Sequence, residues 1–369
     1  MILRNIFTKD YLSTKNRITI ANHLSHKIIA LLLCITMTTA CGSSAAGGSS
    51  DTPENVTRGN QADNSGKTGV DPEPTDTNES TDESNTTEYV ISTEKGSRDN
   101  TSVCLVPSAD GTVVYSNEAA VIDASNADQG YIIVQYIGSS PKVKLQVTGP
   151  DTITYTYSLA VDGGKQEVFP LPAGDGTYQV NVFENIEGNQ YSTAFSQEIT
   201  IQLVDQMLPF LYPNQYVNFS ASDNAIALGE ELALSANNDL DVVANVYNYV
   251  VSTIKYDYAE AESVQSGYIP DIDEVIATKK GICLDYAALM TSILRSQRIP
   301  SRMEVGYAGS AYHAWLSTYI EDVGWVNGII EFDGTDWSLM DPTFASNTSE
   351  ESLKNFIGDG ENYTTKYIY

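Results

Sequence analysis

The pattern of apolar and polar positions divides the chain into four stretches. Ile28 to Ala40, "IIALLLCITMTTA", is a continuous apolar run. It has the length of a signal-peptide core and is short for a membrane span. From Gly42 to about Arg98, Ser, Thr, Asn, Gly, Asp and Glu dominate. Such a stretch buries too little surface to offset its ordering entropy, and it predicts a flexible acidic tether. From about residue 100 to 204 the pattern alternates: "YIIVQYI" (131–137), "KVKLQV" (142–147), "TITYTYSL" (152–159), "TYQVNVF" (177–183) and "SQEITIQL" (196–203). Turn signals such as Gly149-Pro150 and Asp162-Gly163-Gly164 separate these runs, which predicts an antiparallel β-sandwich. After "QMLPFLYPNQYVNF" the period lengthens. "SDNAIALGEELALSA" opens on a Ser222/Asp223 cap, and Leu240, Val243, Tyr247, Val250 and Ile254 recur at helical spacing behind Asp239 as cap. Strand patterns return past Arg302, so the last stretch predicts an α+β domain of helices packed on an antiparallel sheet.

The expected organisation is a signal segment at 1–40, a tether at 41–98, a β-sandwich at 99–204 and the α+β domain at 205–369. Within the sandwich, "DGTYQVNV" resembles the tyrosine-corner stretch of immunoglobulin-like domains, with Tyr178 as the corner residue. Cys104, near its first strand, reads as a buried free thiol.

Charge narrows the partners. The first forty residues hold five basic residues and one acidic, which leaves 15 basic against 47 acidic for the rest. So acidic a chain repels phosphate backbones, and no nucleic-acid partner is expected. The five cations precede the apolar run, whose end "TTAC" places small residues directly before Cys41. This resembles a bacterial lipoprotein signal, which implies lipidation of Cys41 and an extracytoplasmic, membrane-anchored protein.

The chemistry concentrates in "KKGICLDYAALM", residues 279 to 290. Gly281 allows an unusual backbone before Cys283, and good helix formers follow. A thiol on a first helical turn faces unpaired N–H groups and the positive dipole end, which favours thiolate. Lys279 and Lys280 add to that effect, and Asp285 opposes it. Taken alone, a helix cysteine is more often a core residue. Of the three histidines, His23 and His26 fall in the signal segment, so His313 is the single imidazole beyond it. Thiol catalysis needs a base, and one histidine with one helix-start cysteine in a single domain meets that need. The same scarcity argues against a zinc site, and no metal or cofactor is expected. Asp341, in "WSLMDPTF", ends a strand expected to pair so that it and His313 share one face, although aspartate before proline is also a common turn residue.

Together "GICLDYAALM", "YHAW" and "WSLMDPTF" resemble the transglutaminase-like domain of the papain-like cysteine enzymes, over roughly Asn237 to Phe344. The resemblance implies Cys283 as nucleophile, His313 as general base and acid, and Asp341 as the orienting carboxylate. "VGWVNGIIEFDGTDW", between His313 and Asp341, departs from the pattern as an added hairpin. The implied chemistry is acyl transfer from a protein or peptide amide through a thioester. Attack by water gives a cysteine peptidase or amidase, the favoured reading because no calcium-binding loop or amine site is recognisable. Attack by lysine gives a crosslinker. A surface-display protein with a silent triad, binding through its sandwich, is the alternative from another class.

Overall fold

The computed structural model describes residues 89–321, 323–327, 329–332, 337–340 and 363–369. The signal segment, Cys41, Asp341 and the tether up to residue 88 lie outside the described residues. All the described residues fall within one compact unit, Thr81–Tyr369.

Alternation builds two four-stranded antiparallel sheets from eight strands. These are β1 (Val114–Ser116), β2 (Ala120–Asp123), β3 (Tyr131–Tyr136), β4 (Val143–Thr148), β5 (Thr154–Leu159), β6 (Gln166–Pro170), β7 (Gly176–Glu187) and β8 (Gln190–Ile201). The orders are β1-β2-β3-β6 and β5-β4-β7-β8. In β4, Val143, Leu145 and Val147 are buried while Lys144, Gln146 and Thr148 are not, the outcome expected of a period of two. Side chains link the sheets directly: Tyr157 of β5 packs against Phe169 of β6 at 4.8 Å, and Tyr136 of β3 donates to Glu184 of β7. The Tyr178 phenol donates to the Gly174 carbonyl at 3.0 Å, at the turn into β7.

Among the described residues five helices follow: α1 (Asn224–Ala233), α2 (Asp239–Thr253), α3 (Tyr258–Ser263), α4 (Ile272–Thr278) and α5 (Cys283–Ser296). The cap of α2 is Asn238, one residue before the expected Asp239, and its side chain accepts the Asp241 N–H. Asp223 flanks α1 without a side-chain cap bond; the Asp273 carboxylate, from α4, takes the Asn224 and Ala225 N–H groups instead. Every residue of α5 from Asp285 to Ser296 is buried, so α5 is the central element of this half. Near its end Arg295, 1 % exposed, donates to the carbonyls of Ser301, Tyr212 and Tyr369.

The remaining strands are β9 (Lys255–Tyr256), β10 (Lys280–Gly281), β11 (Ser301–Ala308), β12 (Ala311–Ile320), β13 (Gly324–Asn327), β14 (Ile329–Phe332), β15 (Trp337–Met340) and β16 (Tyr363–Ile368). One sheet has the order β13-β12-β11-β16, and α5 packs on β11 and β12. The hairpin read in the sequence before Asp341 is β14–β15, a separate two-stranded sheet. Among the described residues the strand leading to Asp341 is paired with β14 and not with the His313 strand. β13 covers its edge of β12 only from Ser317 to Ile320, short of His313.

Residues 89–104 run as an extended strap over the helices. Gly96 N–H donates to Leu234, Val103 N–H to Ser296, and Arg98 pairs with Asp239 at 2.7 Å. The tether as read from composition extends to Arg98, but its last ten residues are docked here.

Candidate active site

The segment before Cys283 is held from several directions. Asp271 caps α4 by accepting from Asp273 and Glu274 N–H groups, and the helix ends on Lys279 in the left-handed region at φ 53°. Lys280 and Gly281 then pair in parallel with Lys255 and Tyr256. Flanking bonds from Lys255 N–H to the Lys279 carbonyl and from Asp257 N–H to the Gly281 carbonyl, both 2.9 Å, fix the register. Cys283 is the first residue of α5, half-buried with a free thiol, so its own N–H belongs to the unpaired set at the positive dipole end.

Asp285 sets this helix start. Ile282 has no side-chain acceptor, so the cap comes from position three: Asp285 Oδ2 accepts the Ile282 N–H at 2.8 Å. Its Oδ1 accepts the Tyr268 phenol at 2.8 Å. A β-carbon at residue 281 would lie 2.7 Å from the Asp285 β-carbon, which is why glycine stands there. In the sequence Asp285 reads only as a charge opposing the thiolate. An acid at the third helical position is a capping signal, and that signal was available in the pattern. Burial pushes the Asp285 carboxyl up to about 6, against the pull of its bonds to Ile282 and Tyr268.

His313 lies on β12 opposite Gly306 of β11, 7 % exposed, with its ring stacked at 6.3 Å from Trp315. A β-carbon at residue 306 would meet the Thr364 carbonyl at 2.0 Å, so glycine also permits the close approach of β16 there. The packing of α5 on β12 gathers the helix start and the His313 strand into one layer pair. Tyr312, next to His313, feels the Cys283 charge: its phenol is pushed up by burial, by neighbouring tyrosines and by Cys283. The Tyr256 phenol is raised by burial first and by Cys283 second. Tyr258 and Tyr312 are 63 % and 59 % exposed, so aromatic faces stand open on the elements around the thiol. No spacing rule pointed to these tyrosines. Asp341 falls outside the described residues, one position after β15 ends at Met340.

Residues 226–328 match the family model described as the transglutaminase-like superfamily. This segment is a transglutaminase-like domain. Members of that superfamily are generally cysteine-dependent enzymes, and the matched transglutaminase-like domain contains both Cys283 and His313. The chain is similar to UPF0252 protein MJ1282 of Methanocaldococcus jannaschii, 27 % identical over 124 residues, 30 % of this chain and 34 % of that protein. It is also similar to the uncharacterized protein YebA of Bacillus subtilis, 23 % identical over 232 residues, 55 % of this chain and 30 % of that one. The chain thus spans about a third of the length of the curated relatives it matches. Among solved structures it is similar to a candidate cysteine protease from Cytophaga hutchinsonii, with 13 % identity, TM-score 0.29 and coverage of 70 % and 81 % of the two chains. Red sea bream transglutaminase gives 14 % identity, TM-score 0.23 and coverage of 58 % and 48 %.

Proposed function

We propose that this protein is an extracytoplasmic cysteine peptidase or amidase, with Cys283 as nucleophile, His313 as base and acid, and Asp341 orienting the imidazole. The observation that carries the reading is the placement of a free thiol as the first residue of α5, packed on the strand that bears His313, inside the transglutaminase-like domain. In the first half-reaction the Cys283 thiol gives its proton to His313, and the thiolate attacks the amide carbon. The Cys283 N–H is suited to receive the oxyanion. Collapse breaks the C–N bond, the amine leaves with the proton from His313, and a thioester remains. Water then adds with His313 as base, the C–S bond breaks, and the acid product and free thiol result. Water needs no binding site of its own. A lysine acceptor needs one, and near pH 7 only about one lysine in a thousand is neutral.

The test incubates the whole chain with bacterial surface proteins and maps the peptides for cleavage and for isopeptide bonds. Cleavage is expected, lost in Cys283→Ala and lowered about a hundredfold or more in His313→Ala, with residual activity in Asp341→Ala. Cleavage that survives Cys283→Ala overturns the assignment, and isopeptide bonds in place of cleavage transfer it to a crosslinker.

Two further parts belong to the same proposal. The eight-stranded module reads as an immunoglobulin-like spacer or binding domain. The order β2-β3-β6 against β5-β4-β7-β8 and the Tyr178 bond to Gly174 support that reading. The anchor reads as a lipid on Cys41, on the strength of "TTAC" after the apolar run. Cys41→Ala should move the protein from the membrane fraction to the medium, and a variant that stays with membranes contradicts the anchor.

A further inference from the structure

Asp285 is a fully buried carboxyl two residues after Cys283, and each of its oxygens bonds a different element. A helix cap alone needs no charge, because a neutral Gln at the third position can reach back to the N-cap N–H without the cost of burying an acid. The second partner, Tyr268, does not belong to the helix. It lies on the segment 264–271 that joins α3 to α4, where Gly267 turns the chain at φ 94°. Asp285 therefore fastens this segment to the helix start, and Gly281 leaves room for the fastening.

We propose that Asp285 is a positioning residue for Cys283, which with Tyr268 locks the segment 264–271 onto the start of α5 and so fixes the thiol and its N–H for reaction. The proposal rests on the reading of Cys283 as nucleophile.

Several groups bear on the Asp285 carboxyl. Burial and the charges of Glu260 on α3 and Glu274 on α4 raise it, and the Ile282 N–H and Tyr268 phenol lower it, with the balance at about 6. Tyr256 on β9 senses both Asp285 and Cys283. The Asp285 charge that appears near pH 6 lies two residues from Cys283 and changes the field at the helix start. The alkylation rate of Cys283 should accordingly carry an inflection set by Asp285 near pH 6.

The experiment uses the whole chain and follows iodoacetamide alkylation of Cys283 by peptide mass mapping from pH 4 to 9, with steady-state cleavage alongside. The wild type should show a step near pH 6, from Asp285. Asp285→Asn keeps one acceptor oxygen for the Ile282 N–H and offers its amide N–H to the Tyr268 oxygen, and with no titrating carboxyl it should lose that step. Tyr268→Phe removes a bond to the carboxylate and should move the step to higher pH. It should also lower kcat about ten- to a hundredfold with KM little changed, as expected for a misplaced nucleophile. Tyr268 is half-buried, so its variant remains informative should Asp285→Asn fail to fold. A fast Cys283 whose profile and kcat are the same in both variants overturns the positioning role alone. A Cys283 no faster than Cys104 in the wild type overturns the nucleophile reading and this proposal with it.

Discussion

At the scale of single residues, Asp285 ties stability to pH with a definite sign. Its carboxyl is held at about 6 in the folded chain, above the ordinary value of 3.8. Between those values the native state binds more protons than the unfolded state, so this group's contribution falls as pH rises through the window. The full cost, at most about 3 kcal/mol, is present above about pH 6 and absent below about pH 4. Asp99, Asp123 and Glu230 are held below their ordinary values by hydrogen bonds, and they act in the opposite direction. The variant difference isolates Asp285. Asp285→Asn should be more stable than the wild type by urea unfolding at pH 7.5, and the difference should close as pH drops to 4. A pH-independent difference would mean that the carboxyl is not held up. Cys283 and His313 were legible in the sequence because scarcity singles them out: one helix-start thiol and one histidine beyond the signal segment. Asp285 was visible as a residue, but its role was not. Tyr268 sits 17 positions away, and no local pattern announces a bond across that gap.

At the scale of elements, the sequence was most informative where burial has a period. β4 and α2 fall where alternation and helical spacing put them, because their buried faces repeat every two or 3.6 residues. The strap has no such face. "SRDNTS", residues 97–102, docks through polar bonds: Ser102 to Glu230, Arg98 to Asp239 and the Gln297 carbonyl, and Arg298 back to the Asp99 carbonyl. Composition reads such a stretch as tether, since hydrogen bonding to a distant helix end leaves no trace in hydrophobic pattern. The strap is also close-packed. A β-carbon at Gly96 would sit 2.1 Å from the Ala236 carbonyl oxygen, a backbone atom that cannot swing aside. Gly96→Val should therefore cost about 1–3 kcal/mol, as overpacking does, whereas deletion of residues 45–85 should leave the unfolding midpoint unchanged. Thermal unfolding of the two variants checks both, and equal midpoints would show that the strap carries no stability.

At the scale of the whole molecule, composition suggests a boundary near residue 204, and aromatic packing crosses it. Tyr155 and Tyr157 of β5 stack within a cluster that includes Tyr216, Tyr367 and Tyr369. Tyr369 in turn pairs its backbone with Met303 of β11 and accepts from Arg295 at the end of the cysteine helix. A chain of contacts thus runs from the first half's edge strand to the helix that starts at Cys283. Tyr157 is fully buried with a hydroxyl that finds no partner, so its ring carries the packing and its oxygen only a cost. Tyr157→Phe should leave stability equal or higher, and Tyr157→Ala should lower it by about 3–5 kcal/mol. The three tryptophans, Trp315, Trp325 and Trp337, all lie in the second half, so tryptophan fluorescence reports on that half alone while far-UV circular dichroism reports on both. If the cluster couples the halves, Tyr157→Ala shifts the fluorescence midpoint as far as the dichroism midpoint, although the substitution sits more than 150 positions before the first tryptophan. A fluorescence transition that stays in place while dichroism splits in two would show that the halves unfold independently, and that the tyrosines only touch.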